Sequence, residues 1–231
     1  MKILWCVTGA GQFLSESVES MDAFAQGNQV TLVLSKAGHE VCRMYGVLGE
    51  LEKKYSEIVA EEGQGRSSPI VGRLSQKEYE KVVVAPCTAN TAAKIVCGIA
   101  DSLVSNIVAQ AGKCKVPVYI LPTDAIKKQK TKIPVTIDHE KCKRCCACNA
   151  LRVCPNDAIY VTEAVHIDLM KCDACLKCVS SCNNKAIEFG KEIDIECRDL
   201  DVANAKKLGA IKGITVITSP AQLNKILEKT K

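Results

Sequence analysis

Aromatic residues are scarce in this chain: one Trp, three Phe and five Tyr make up 4% of its 231 residues. Single-stranded nucleic acids are gripped by stacking bases on aromatic rings, so such a partner has no platform here. A strong excess of positive charge is also missing. The formal net charge is +5, spread along the chain, and leaves no DNA-binding footprint. No apolar run approaches the ~20 residues that a bilayer-crossing helix needs. Neither a Gly-x-Gly-x-x-Gly turn nor a Gly-Lys-Ser/Thr loop occurs, which argues against NAD and excludes P-loop nucleotide hydrolysis. The N-terminal Met1-Lys2-Ile3-Leu4-Trp5-Cys6-Val7 lacks a small-residue cleavage site and runs into a glycine turn. It reads as a first strand and not as a signal peptide. The expectation is a cytoplasmic protein whose thiols stay reduced.

Cysteine is what the chain has in excess, with fifteen in all. Cys6, Cys42, Cys87, Cys97, Cys114 and Cys197 are scattered and read as small hydrophobes. The other nine fall between Cys142 and Cys182. An odd total in a reducing compartment points to metal rather than to paired disulfides.

The dense block is an internal repeat with an offset of 30 residues, Val135-Thr136-Ile137-Asp138 before Cys142 and Val165-His166-Ile167-Asp168 before Cys172. Each half reads as short strand, cysteine loop, short helix, short strand. The spacings are Cys142-x2-Cys145-x2-Cys148-x5-Cys154-Pro155 and Cys172-x2-Cys175-x2-Cys178-x3-Cys182. Three thiolates at two-residue gaps wrap three corners of an iron–sulfur cube, and the fourth cysteine of each run ligates the other cube. Cys142, Cys145, Cys148 and Cys182 are therefore assigned to one 4Fe-4S cluster, and Cys172, Cys175, Cys178 and Cys154 to a second. Cys146 is left spare. Two structural zinc sites are the alternative, since four-cysteine zinc also uses Cys-x2-Cys, but a third cysteine at the same step has no task there. The block resembles a bacterial-type two-cluster 4Fe-4S ferredoxin domain over about residues 133–190, although its first run is two residues longer than the usual pattern and its second lacks the closing proline.

Elsewhere, strand and helix signals alternate. Strands are expected at Ile3–Val7, Val30–Leu34, Lys81–Val84, Val116–Leu121 and Gly213–Thr218, with helices over residues 12–26, 43–60, 90–97 and 101–111. Continuous β-branched runs alternating with helices predict an α/β fold with a parallel sheet covered on both faces. Residues 62–73 read as a surface loop, and Lys127 to Lys132 as a charged linker. The terminal segment has helical character over Val202–Leu208, and Ser219-Pro220 caps a last helix. One strand–helix pair cannot bury its own apolar face. It is therefore expected to rejoin the first sheet, giving a domain of residues 1–132 and 191–231 with 133–190 inserted.

Ligands of open parallel sheets bind beyond the carboxyl ends of the strands. Those ends here carry Thr8-Gly9-Ala10-Gly11, Ser35-Lys36-Ala37 and Pro86-Cys87-Thr88-Ala89-Asn90-Thr91. The last segment, continuing through Ala92-Ala93-Lys94-Ile95 to Gly98-Ile99-Ala100-Asp101-Ser102-Leu103, resembles the FMN-binding signature of the homo-oligomeric flavoprotein family. That family includes cysteine decarboxylases and flavin prenyltransferases. The resemblance implies a Rossmann-like or flavodoxin-like flavoprotein domain in which Gly9, Ala10, Ser35, Thr88, Ala89, Asn90 and Thr91 touch FMN with Asp101 nearby. Its decarboxylases use a histidine, and none stands at a matching place here: His139 and His166 lie in the cysteine repeat, and His39 reads as a surface residue.

A flavin joined to iron–sulfur clusters converts single electrons into hydride. The whole arrangement resembles the archaeal dihydromethanopterin reductase (acceptor) family, iron–sulfur flavoproteins of the homo-oligomeric type. The resemblance implies an oxidoreductase that passes electrons from a ferredoxin-like donor through two clusters to FMN. It implies further that hydride then goes to dihydromethanopterin, giving tetrahydromethanopterin. It also implies a trimer or a larger assembly of trimers. An electron carrier with no substrate of its own, or a reductase of another pterin or a quinone, stays open. Lys36 and Asp124 read equally well as polar neighbours of the pocket and as surface residues, so the proton donor is unassigned.

Overall fold

In the computed structural model the described residues are 1–65 and 67–228. The chain opens with strand β1 (Lys2–Val7) and helix α1 (Leu14–Ala25). Strand β2 (Gln29–Leu34) is followed by helices α2 (Lys36–Met44) and α3 (Leu48–Lys54). Next come β3 (Ile58–Ala60), α4 (Val71–Ser75), β4 (Lys81–Cys87), α5 (Ala89–Val96), α6 (Leu103–Cys114) and β5 (Val118–Pro122).

A different texture begins at β6 (Lys128–Lys132) and β7 (Thr136–Ile137). It continues through α7 (Asn149–Arg152), β8 (Ile159–Val161), β9 (Val165–Ile167), α8 (Lys177–Ser181), β10 (Ile187–Glu188) and β11 (Glu192–Glu196). Helix α9 (Asp199–Leu208), β12 (Ile214–Val216) and α10 (Pro220–Glu228) end the described chain.

The principal sheet has six strands in the order β12-β5-β4-β1-β2-β3, with every neighbouring pair parallel. Alternation along β1 explains its uninterrupted apolar sequence. Leu4 and Cys6 face one layer with Leu103, Val104, Ile107 and Ala111 of α6. Ile3, Trp5 and Val7 face the other, with Leu14, Met21 and Phe24 of α1 and Leu223 of α10. Both faces are covered, as a parallel sheet requires. Trp5 has no solvent exposure, and its indole N–H donates to the carbonyl of Ala85 at 3.1 Å. The returning tail adds β12 beside β5, in register Ile214 to Val118.

Two expectations need correction. The helix expected over 43–60 is broken at Tyr45, Gly46 and Val47, with Gly46 in the left-handed region at φ 76°. Beyond it Ile58–Ala60 is an edge strand and not helix, paired with Leu32 to Leu34. The stretch expected as a linker, Lys127 to Lys132, is ordered: β6 pairs antiparallel with β11, Lys132 opposite Glu192 and Lys128 opposite Glu196. Strand β11 supplies the acidic residues that the lysines of β6 need. The expected 62–73 loop carries a 3-10 turn at Glu61–Gln64 and the start of α4; its residue 66 lies outside the described residues.

The β3 edge is fastened by charge. Arg73 pairs with Glu57 and Glu78, Lys2 also pairs with Glu78, and Thr31 Oγ1 donates to Glu57 at 2.7 Å. The hydrogen bonds from Arg73 and then Lys2 hold the Glu78 carboxyl down at about 2, and Arg73 lowers that of Glu57 against the opposing effect of burial. Carboxylates depressed in the folded state contribute stability above their unfolded pKa and lose it as pH falls through the folded one. Denaturation midpoints of the wild type are therefore expected to fall between about pH 4.5 and pH 2. Arg73→Met should flatten that fall, and an unchanged pH profile would refute the assignment.

Candidate functional site

The strand order reverses direction of growth between β1 and β4, and the crevice beyond the carboxyl ends at such a switch point is where open α/β sheets bind ligands. Thr8 joins the two sides. Its hydroxyl donates to the carbonyl of Pro86 at 2.9 Å and accepts from the Thr88 amide at 2.8 Å, with 1% exposure. Thr88 caps α5 by accepting from the Thr91 amide at 3.3 Å, and its hydroxyl meets that of Thr91 at 3.1 Å. Ser35 caps α2, accepting from the Gly38 amide at 2.9 Å. Two glycines allow this crowding. A Cβ on Gly9 would lie 2.5 Å from that of Ala37, and one on Gly38 would collide with the carbonyl of Val7. Gly9, Ala10, Ser35, Thr88, Ala89, Asn90 and Thr91 are thus gathered at the ends of three adjacent strands, beside two capped helix N-termini, a feature that favours negative charge.

Asp101 lies between α5 and α6. It precedes the capping box of α6 and pairs with Lys94 at 2.7 Å, which lowers its carboxyl. The sequence reading missed Glu61, whose carboxylate accepts from the amides of Lys36 at 2.8 Å and Leu103 at 2.7 Å. It fastens the starts of α2 and α6 together. Its signal was faint, an acid two residues past β-branched Ile58-Val59.

The cysteine repeat folds as two small antiparallel pairs, β7 with β10 and β8 with β9. Its halves cross. Cys154 belongs to the first run by sequence, yet it lines one cavity with Cys172, Cys175 and Cys178 of the second. Burial raises the thiol of Cys172 and pushes that of Cys178 to about 11, with the neighbouring thiols adding to each. Cys142, Cys148 and Cys182 pack against the same small core, formed with Val135, Ala158, Val165 and Ile187. Cys145 is exposed and accepts from the Asn184 side-chain amide at 3.2 Å.

Amide N–H groups point at sulfur in repeat-related places, Ala158 to Cys154 at 3.3 Å and Ala186 to Cys182 at 3.4 Å. Such bonds stabilise a thiolate over a thiol. Cys154 beside Cys172, Cys175 and Cys178 is an all-thiol donor set of the kind that would hold an iron–sulfur cluster. Among the described residues no three His, Cys, Asp or Glu side chains are drawn into a compact metal-holding group.

Tyr45 connects the cysteine repeat to the crevice. Its hydroxyl donates to the Lys132 carbonyl at 2.6 Å and lies against Gly11, and its ring meets Phe189 edge-on at 6.4 Å. At the next residue, a Cβ on Gly46 would be 3.2 Å from that of Ala174, inside the Cys172–Cys175 loop. A cavity of about 500 Å³ lies in this corner, lined by Gly11, Phe13, Glu16, Tyr45, Lys132 and Phe189. Behind it a polar chain crosses between domain segments. Gln12 donates to Gln129 at 3.0 Å, Gln129 to Cys197 Sγ at 3.1 Å, and that thiol to Asp124 at 3.5 Å. None of Gln12, Glu16, Tyr45 and Phe189 stood out in the sequence, because they lie far apart along the chain.

The Flavoprotein family matches residues 1–139. A Methanosarcina mazei protein named dihydromethanopterin reductase (acceptor) is 39% identical over 229 residues, covering 95% of each chain. A Methanocaldococcus jannaschii protein of the same name is 42% identical over 233 residues, 96% of this chain and 94% of that one. Among solved structures, Burkholderia xenovorans DmrB in complex with FMN, described as a cubic protein cage for redox transfer, superposes with a TM-score of 0.66. It shares 24% identity over 99% of this chain and 93% of its own, and so speaks for the fold.

Proposed function

Because this chain belongs to the Flavoprotein family and matches dihydromethanopterin reductases (acceptor) along nearly its whole length, we propose that it is an FMN-dependent reductase. It takes single electrons from a ferredoxin-like donor and delivers hydride to dihydromethanopterin, giving tetrahydromethanopterin. Residues 133–190 serve as the two-cluster ferredoxin domain, inserted into a flavoprotein domain of residues 1–132 and 191–231. When bound, the clusters supply one-electron chemistry and FMN supplies hydride chemistry.

The chain's own residues have defined tasks. Ser35 and the first amides of α2 would hold the phosphate, and Gly9, Ala10, Thr88 and Thr91 would line the rest of the cofactor. Asn90, exposed at the rim of the crevice, reads the edge of the ring. Cys142, Cys145, Cys148 and Cys182 hold one cluster; Cys172, Cys175, Cys178 and Cys154 hold the other. The observation that carries this reading is the close approach of Ala174 to Gly46, where an added Cβ would lie 3.2 Å away; it brings one cysteine loop to the far end of α2, the helix whose first turn borders the crevice. A trimer, or an assembly of trimers, in the cytoplasm is the proposed working form. The family resemblance and the cage formed by DmrB support the assembly.

The test is anaerobic purification with a count of iron, zinc and FMN, followed by turnover with a dihydropterin and a low-potential one-electron reductant. About eight irons per flavin and consumption of the dihydropterin are expected. Zinc in place of iron would overturn the electron route. Reduction of bound flavin without pterin consumption would leave an electron carrier.

A further inference from the structure

The cavity of about 500 Å³ beside the β1–α1 turn shares no residue with the expected FMN contacts, yet Gly11 in its wall directly follows Gly9 and Ala10. Its volume lies in the range of small-molecule sites. Two rings, Tyr45 and Phe189, stand at 65° to each other there, and Phe189 keeps 38% of its surface exposed. Such a corner suits a flat heterocycle, which can stack on one ring and meet the edge of the other. Phe13, also in the wall, is held in the left-handed region at φ 60°, which a bulky side chain rarely adopts. Strain of this kind gathers at binding sites.

Glu16 supplies the directional element. It sits in the first turn of α1, is exposed, and lines the same cavity. Among the described residues its carboxylate has no hydrogen-bond or ion-pair partner. A carboxylate presents two parallel acceptors and no donor. The 2-amino-4-oxopyrimidine edge of a pterin presents two parallel donors, N3–H and the 2-amino group. The corresponding edge of a flavin places carbonyl oxygens on both sides of its N3–H, and these would face the carboxylate lone pairs. The wall is thus matched to the pterin and mismatched to the flavin.

We propose that this cavity is the pterin subsite, with Glu16 gripping the 2-amino-4-oxopyrimidine edge and Phe189 and Tyr45 enclosing the bicycle. The assignment rests on the reductase reading and names the residues that would set its substrate specificity. Glu16 and Phe189 would be contributed from opposite sides of the chain's fold, one from the flavin domain and one from the end of the cysteine repeat.

The experiment uses the FMN-loaded protein with flavin oxidised, so that no turnover occurs. Binding of 6-hydroxymethylpterin and of its 2,4-dioxo analogue, a lumazine, is measured by calorimetry. Wild type is expected to prefer the pterin. Glu16→Gln should weaken pterin binding by about ten- to a hundredfold and shift preference toward the lumazine, because an amide offers one donor and one acceptor. Phe189→Ala should weaken both ligands alike, and FMN content should be unchanged in either variant. Normal pterin binding with both variants unaltered would overturn the subsite while leaving the reductase reading standing. Loss of FMN from Glu16→Gln would also overturn it, since the cavity would then belong to the flavin. Wild type that retains FMN and binds no pterin would refute the reductase reading itself.

Discussion

Cys154→Ser is expected to remove about half of the protein's iron, and to remove it from the set built on the second cysteine run. The thiol lies in the cavity of Cys172, Cys175 and Cys178 although its chain position places it six residues after Cys148. Serine keeps the shape but replaces a soft thiolate by a hard oxygen, which suits iron–sulfur chemistry poorly. Iron and sulfide counts, with electron paramagnetic resonance of the reduced protein, read the outcome. Cys146→Ser is the control: this exposed thiol belongs to neither set, and full iron is expected. Loss confined to the first-run cluster would show that the runs do not exchange ligands.

Thr8→Val should unsettle the other cofactor. The substitution keeps the side-chain volume and deletes a buried hydroxyl that serves two partners, the Pro86 carbonyl and the Thr88 amide. Leaving a buried amide without its acceptor costs about 1–3 kcal/mol, so thermal unfolding should move down by several degrees. Thr88 would also lose the anchor that sets the start of α5, and FMN retention should fall with it. Thr8→Ser restores the hydroxyl and should recover both. Full flavin occupancy in a destabilised Thr8→Val protein would separate the fold's use of this residue from any part in holding FMN.

Much of this architecture can be read from the sequence where one residue type carries one physical instruction. The runs Ile3–Val7, Val30–Leu34 and Lys81–Val84 are apolar on consecutive residues because both faces of their sheet are covered, and they appear as β1, β2 and β4. The four-residue spacing between Cys154 and Ala158, matched by Cys182 and Ala186, places an amide on each sulfur. What was hidden depends on partners distant in sequence. Ile58–Ala60 is too short to announce a strand, and is one only because β2 offers it an edge. The lysine-rich β6 looks like a solvated linker until Glu192 and Glu196 lie opposite. The aromatic corner needs Tyr45 and Phe189, 144 residues apart, and no periodicity within either segment signals that they meet.

The antiparallel pairing of β6 with β11 extends beyond the strands, since the Ile133 amide donates to Lys191 at 3.0 Å and that of Gly190 to Ile133 at 3.1 Å. The chain therefore leaves for the cysteine repeat and comes back along two threads already zipped together. Cut at that zipper and closed with a tight turn, the molecule would keep an ordinary hairpin where the repeat had been.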